Sequence, residues 1–273
     1  PIAINTGGGD APGHNAVIRP ATLAALKEGW EVLGIRRGYM GVLEPDVDGE
    51  AGVFPLTPQA VRGITHLGGT ILGTTTRRNP FGLEVRQPDG TWGKVDRSDE
   101  IVEGFRRLEI DALVAIGGDG SLAIAHALYQ KGLPVIGVPK TIDNDLRATD
   151  VTFGFQTAVE VATDAIGRLH STAEAHQRVM VVQVMGRHTG WIALESGMAG
   201  GADVILIPEI PYSLEAIAQK VRDREAHGRR FSIVVVAEGA RPIGGQMSVV
   251  EPAHGGHPER LGGAGMFVGK ELE

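Results

Sequence analysis

The sequence predicts an α/β fold in which mostly parallel sheets are covered by helices. Apolar runs of strand length alternate with segments of helical period along the chain, the order that builds strand–helix–strand crossovers. The strand runs are apolar at consecutive rather than alternate positions, as strands buried on both faces require. Glycine- or turn-rich stretches follow three of these strands, where the loops of a parallel sheet gather its ligands.

Residues 2–6, 31–35, 112–116, 135–138, 179–184, 204–207 and 233–236 are the strands. Ala158, Ala162, Ala165, Ile166 and Leu169 recur at helical spacing and mark one helix. Leu214, Ile217, Ala218 and Val221 mark another, with Ser213 placed to cap its N-terminus. Both stripes read as core faces. Pro20 falls inside the first helical pattern and should kink that helix or make it begin late. Residues 74–98, with TTTRRNPFG and QPDGTWGK, are polar and rich in turn formers, so they read as a loop or hairpin leaving the sheet. PKTIDNDLRATD marks a domain joint, because a new series of strands and helices starts after it. No short repeat is present, and two similar α/β halves fit the pattern.

A chain of 273 residues, 42% of them hydrophobic, can bury the core of one large domain or two smaller ones. Its net charge of -7 opposes nucleic acid and anionic membrane surfaces, so small ligands are the expected partners. With no cysteine, disulfides, thiol catalysis and thiolate metal sites are excluded. No apolar run approaches the roughly 20 residues of a membrane-spanning helix. No basic-then-apolar leader opens the sequence, and the expected location is the cytoplasm. The chain opens directly on a strand and ends within the helical segment GMFVGKELE, so its ends read as those of a truncated polypeptide.

GGGDAPG, at 7–13, lies between the first strand and the first helix. Glycine loses extra conformational entropy on folding, so such a run is useful where the backbone turns sharply or comes very close to something. Phosphate is the ligand it suits. AIGGDGS has the same character: Gly117, Gly118 and Gly120 surround Asp119 and lead into SLAIAHALYQ, presenting open N–H groups and a helix N-terminus. Asp119 alone would repel phosphate, and Mg²⁺ between them removes the conflict, since that ion takes one or two carboxylates with phosphate oxygens. Glycine-rich turns with an acidic helix cap are also common without any ligand; two such loops in one chain favour phosphate.

The third loop, PKTIDND, follows LPVIGV. If it is extended, Thr141, Asp143 and Asp145 point the same way. A carboxylate beside phosphate loops suits a general base acting on a hydroxyl nucleophile. The alternative, a pair of turn-forming aspartates, accounts for Asp145 better than for Asp143.

GGDAPGHNAVIR, GGTILG, IGGDGS, PKTIDND, HQRVMVVQVMGRHTGWIA and PEIPYS follow one another from the first residue to about Glu238. In their order and approximate spacing the chain resembles the bacterial 6-phosphofructokinases of the phosphofructokinase A superfamily. The resemblance implies two Rossmann-like domains with the active site in the cleft between them. Residues 1–139 would bind the phosphoryl donor, 140–250 the sugar phosphate, and 251–273 would begin a C-terminal segment. The implied reaction moves the γ-phosphoryl group of ATP, with Mg²⁺, to the 1-hydroxyl of fructose 6-phosphate.

By the same resemblance Asp143 is the base, Thr141 and Asp145 support the reacting group, and Arg187 stabilises the transferring charge. Asp119 would sit on Mg²⁺. Gly8, Tyr39, Arg77, Arg78, Gly118, Gly120, Ser121 and Lys140 would serve the donor, and Met185, Gly186 and Glu238 would line the sugar site. Arg178, in HQR, would reach the sugar phosphate of a neighbouring subunit, which implies a homodimer or homotetramer. Without the family, Arg178 and Arg187 read equally as surface ion-pair formers, and His176 and His188 as hydrogen-bonded structural histidines. Glu209 resembles an effector-site position, yet a proline and an acid after a strand are ordinary turn chemistry.

Two features depart from the family pattern. A GHIQRGG-like stretch is not found before Glu273, and His254, His257 and Arg260, in EPAHGGHPERLGG, do not resemble it, so the chain as given should bind fructose 6-phosphate poorly. The donor signals also oppose each other: Gly120 is the small residue of ATP users, whereas Lys140 is typical of pyrophosphate users. An aspartate at position 120 would exclude ATP more firmly than a lysine at 140 does, so the reading is ATP, with a pyrophosphate-dependent phosphotransferase as the alternative. A catalytically silent regulatory subunit is disfavoured by the joint presence of Asp119, Asp143 and Arg187. A lipid or dinucleotide kinase sharing only GGDG leaves PKTIDND and MGRHTGW unexplained.

Overall fold

In a computed structural model, which describes residues 1–87, 90–252 and 259–273, the chain divides into two units. The first comprises Pro1–Thr141 with Leu146–Thr149, and the second Ile142–Asp145 with Asp150–Glu273. The chain passes between them within the stretch that reads as a joint.

The first unit begins with β1 (Ile2–Thr6), α1 (His14–Lys27), β2 (Val32–Ile35) and the short α2 (Met40–Leu43). Small strands follow: β3 (Asp46–Val47), β4 (Glu50–Ala51) and β5 (Val53–Pro55). After a 3₁₀ turn at Pro80–Gly82 come β6 (Leu83–Arg86) and β7 (Trp92–Val95), the expected hairpin excursion. The unit closes with α3 (Ser98–Arg107), β8 (Ala112–Gly117), α4 (Asp119–Gln130) and β9 (Val135–Thr141).

Strands β9, β8, β1 and β2 lie side by side in parallel, and β5 adds an antiparallel edge beside β2. Successive residues of a strand face opposite sides. Ala3 therefore joins Leu113, Ile101, Phe105 and Leu128 in one core, while Ile4 joins Ile116, Ile18, Val32 and Leu72 in the other. α1 runs unbroken through Pro20, which is exposed, so the helix does not begin late. The expectation of two-sided burial fails at β9, where Ile136 is 64% exposed. Ile136 opens onto a groove of about 1000 Å³ that also runs along Ile2, Ala21, Trp30 and Val114.

The second unit contains β10 (Phe153–Gly154), α5 (Phe155–His176), β11 (Val179–Val184), α6 (Trp191–Ala199) and β12 (Val204–Leu206). It continues with α7 (Leu214–Ala226), β13 (Ser232–Ala237), β14 (Val249–Glu251), β15 (Arg260–Leu261) and α8 (Ala264–Leu272). Ser213 caps α7 as expected, its Oγ accepting from the Ala216 N–H at 3.2 Å. β13 is the centre of a parallel β11–β13–β12 sheet, and all six of its residues are buried. Burying each of its valine side chains contributes about 1.5–3 kcal/mol. Val234 and Val236 pack with Ile217 and Val268, and Ile233 and Val235 pack with Ile166 and Ala193 on the opposite face. Among the described residues no helix is long and apolar enough to cross a membrane.

Candidate active site

In the first sheet β1 connects onward to β2 on one side, and β8 connects to β9 on the other. Connections that diverge in this way leave a crevice at the carboxyl ends of the two strands. The two glycine loops fill it. The Gly7 N–H donates to the Ile116 carbonyl at 2.9 Å. A Cβ on Gly7 would stand 2.8 Å from Ser121 Oγ, and one on Gly117 would stand 3.2 Å from the Gly7 carbonyl oxygen. Glycine at these two positions is what lets the loops touch.

Two side chains then orient the first loop. The Gly8 carbonyl accepts from Thr74 Oγ1 at 2.7 Å, and the Gly9 carbonyl accepts from Lys140 Nζ at 2.5 Å. In a trans peptide the C=O and the following N–H point in opposite directions. Pinning both carbonyls therefore turns the Gly9 and Asp10 N–H groups away from their tethers. Lys140 is only 3% exposed, and its ammonium is drawn onto this loop. GGTILG braces the loop: Thr6 Oγ1 donates to the Gly73 carbonyl at 2.8 Å, and Asn15 Oδ1 accepts from Ile71 N–H at 3.0 Å. His14 is buried at the start of α1, 3.7 Å from the Asp10 carboxylate. Burial, reinforced by the charge of Lys140, pushes its pKa down to about 4, so it is neutral at pH 7.

Asp119 is exposed at the first position of α4, and its Oδ1 accepts from the Gly120 N–H at 2.6 Å. A Cβ on Gly120 would meet no protein atom within 4 Å, so protein packing does not require glycine there. Gly118 lies against β9, with a notional Cβ 3.4 Å from the Lys140 carbonyl. Tyr39 is buried, which pushes its phenol up to about 12, and with Thr75, Arg78 and Ser121 it borders a cavity of about 30 Å³. Arg77 and Arg78 are exposed, Arg78 lying 3.3 Å from Glu44. No cluster of three or more His, Cys, Asp or Glu side chains able to hold a metal occurs among the described residues. A single accessible carboxylate at Asp119 nevertheless fits Mg²⁺, which takes its remaining ligands from phosphate and water.

The PKTIDND loop differs from the extended segment expected of it. β9 ends at Thr141, and Asn144 has φ 51°. Asn144 Oδ1 accepts from the Thr152 N–H at 2.9 Å and holds the bend. The period-two alignment therefore stops short of Asp145, which is exposed, while Asp143 is buried.

In the second unit the loops after β11 and β13 lie side by side, since Val184 pairs with Ala237 and the Glu238 N–H donates to the Val184 carbonyl at 2.9 Å. Met185 is 58% exposed there. Gly186 has φ 141°, and the Thr189 N–H returns to its carbonyl at 2.9 Å, closing a tight turn. Arg187 in that turn has φ 49°, a left-handed conformation costing a non-glycine residue about 1–2 kcal/mol. Its N–H donates to Glu238 Oε1 at 2.9 Å, and a Cβ on Gly239 would collide with the Arg187 carbonyl at 2.0 Å.

Glu209 has a structural task in this unit: its Oε1 accepts from the Gly190 N–H at 2.9 Å and caps α6. His176 and His188 are both exposed rather than packed, because one ends α5 and the other follows the Arg187 turn. Arg178 is exposed after α5, with its N–H bonded to the Ala173 carbonyl at 3.1 Å. Arg260 pairs with Glu251 at 3.2 Å; His254 and His257 lie outside the described residues. Thr74, Asn144 and Thr189 escape sequence reasoning, because their partners, the Gly8 carbonyl, the Thr152 N–H and the Asp143 carbonyl, are remote in sequence.

Two contiguous glycine loops at a sheet's switch point define a phosphate-handling α/β protein. A model of the phosphofructokinase family matches residues 1–270, and the chain belongs to that family. It is 52% identical over 274 residues to a Clostridium perfringens (strain 13 / Type A) protein named ATP-dependent 6-phosphofructokinase 2, covering 100% of this chain and 73% of that protein. It is 45% identical over 277 residues to a Dictyoglomus thermophilum protein named pyrophosphate–fructose 6-phosphate 1-phosphotransferase, covering 100% of this chain and 74% of that protein. Among solved structures, Pichia pastoris phosphofructokinase in the T-state matches with a TM-score of 0.76 at 36% identity, over 88% of this chain and 26% of that one. The chain thus spans about a quarter of the Pichia pastoris subunit.

Proposed function

We propose that the chain is the catalytic part of an ATP-dependent 6-phosphofructokinase, transferring the γ-phosphoryl group of ATP to the 1-hydroxyl of fructose 6-phosphate. The observation that carries this reading is the open space at Gly120 beside the two glycine loops, which leaves room for a nucleotide's phosphates. The names of relatives such as the Clostridium perfringens protein support the same donor.

The first unit's residues hold the donor. Gly8, Gly118, Gly120 and Ser121 present backbone and hydroxyl groups to the phosphates, with Tyr39, Arg77 and Arg78 beside them. Asp119 would hold Mg²⁺, which would supply positive charge to offset that of the donor's phosphates. The second unit's residues act on the acceptor. The Asp143 carboxylate takes the proton of the 1-hydroxyl as its oxygen bonds to phosphorus and the ADP oxygen departs; that proton leaves with product release. Arg187 offsets charge on the transferring group, where positioning and electrostatics supply most of the catalysis. Thr141, the last residue of the first unit before the joint, and Asp145 support the acceptor, and Met185, Gly186 and Glu238 line the sugar. Arg178 reaches the sugar phosphate of a neighbouring subunit, so the active protein is a homo-oligomer.

A pyrophosphate-dependent reaction is the second reading, because Lys140 is typical of enzymes that use that donor. Its ammonium, however, is held by the Gly9 carbonyl, which favours a role in shaping the loop. Initial rates of fructose 1,6-bisphosphate formation, with ATP·Mg²⁺ and pyrophosphate·Mg²⁺ over the same concentrations, separate the two. Turnover with ATP supports the reading; turnover mainly with pyrophosphate overturns it.

A further inference from the structure

Thr189 belongs to none of the glycine or carboxylate motifs, yet it touches two of the second unit's functional loops. Its backbone N–H closes the turn around Arg187 by donating to the Gly186 carbonyl at 2.9 Å. Its hydroxyl lies 2.9 Å from the Asp143 carbonyl and 3.1 Å from the Gly186 carbonyl. We propose that Thr189 is a positioning residue that fixes the main chain of Asp143 against the Arg187 turn, so that the base and the charge-stabilising arginine keep one geometry. The proposal rests on the phosphotransfer reading above.

Both sides of Thr189 are rigid. A Cβ on Gly186 would come within 2.5 Å of the Thr189 carbonyl, so the turn before it admits only glycine in this conformation. Directly after it, Gly190 is boxed in by Ile207, with a notional Cβ 2.4 Å away, and its N–H is held by Glu209 at the start of α6. The hydroxyl therefore projects from a fixed post. Asp143 comes from a bent segment between the end of β9 and the Asn144 turn, outside any regular element. A hydrogen bond to that carbonyl sets where the Asp143 side chain begins. An error of about 1 Å in such a group costs about 100-fold in rate.

The test compares Thr189→Val, which keeps the shape without the hydroxyl, with Thr189→Ser, which keeps the hydroxyl, in the complete polypeptide that carries these residues. The valine variant should lose about 10- to 100-fold in kcat while KM for ATP and for fructose 6-phosphate stays within about threefold. The serine variant should stay within about threefold of the parent kcat. Thermal unfolding of each variant separates lost positioning from lost folding, and Thr189→Ala replaces the valine variant if that one does not fold. A hydroxyl-free variant with parental kcat, or a serine variant as slow as the valine one, overturns the proposal. A parent protein that forms no fructose 1,6-bisphosphate from ATP overturns the functional reading instead.

Discussion

The backbone N–H of Arg187 donates to the Oε1 of Glu238 across 2.9 Å, and Arg187 holds a left-handed φ of 49° at that point. The carboxylate after β13 thus stabilises the strained turn after β11. Glu238→Leu should remove about 1.5–3 kcal/mol of stability, typical of a lost hydrogen bond to a charged group, and lower turnover as well. Glu238→Gln keeps an acceptor oxygen and should retain most of the stability. Urea unfolding of the two variants checks this; equal losses would mean the hydrogen bond is not what supports the turn.

Gly120 faces open space near the N-terminus of α4, and its backbone is not left-handed. Gly120→Asp should leave stability unchanged or raise it by about 0.5 kcal/mol, since a negative charge suits a helix N-terminus. The same substitution should cut kcat/KM for ATP about 100-fold or more, a loss of about 3 kcal/mol. Melting temperature and donor kinetics on one preparation test both statements together.

The contrast between these two sites shows what sequence alone makes legible. Strands β1 and β11 stand at their expected residues because runs dominated by β-branched and aliphatic residues, broken only by Asn5 and Gln183, suit a parallel sheet. The glycine loops were equally legible, since Gly7 and Gly117 answer to the close approach of Ser121 and of each other. Asp145 was not, because the bend at Asn144 depends on the Thr152 N–H, eight residues away and invisible to a period-two pattern. Glu209 was ambiguous for the same reason: its partner, the Gly190 N–H, is remote in sequence. Thr74 and Thr189 carry hydroxyls whose acceptors are main-chain carbonyls, and composition does not distinguish them from surface threonines.

His14 makes stability depend on pH. Its folded pKa is about 4 against an ordinary value of 6.5, so the unfolded chain binds the proton more readily between those values. Its favourable contribution is complete above pH 6.5 and is lost as pH falls toward 4. The loss is of the order of 2–3 kcal/mol. Asp10 and Lys140 face the imidazole, and the lysine deepens the effect. Denaturation midpoints between pH 7.5 and about 4.5 should fall more steeply for the parent than for His14→Leu, which has no proton to take up.

Asp143 bears the central claim, and the turnover of Asp143→Asn tests it most directly. The amide keeps the size of the buried side chain but cannot accept the hydroxyl proton. With ATP·Mg²⁺ and fructose 6-phosphate, the account predicts a fall in kcat of about 100- to 10,000-fold with substrate binding largely retained. An asparagine variant that turns over at nearly the parental rate would contradict it.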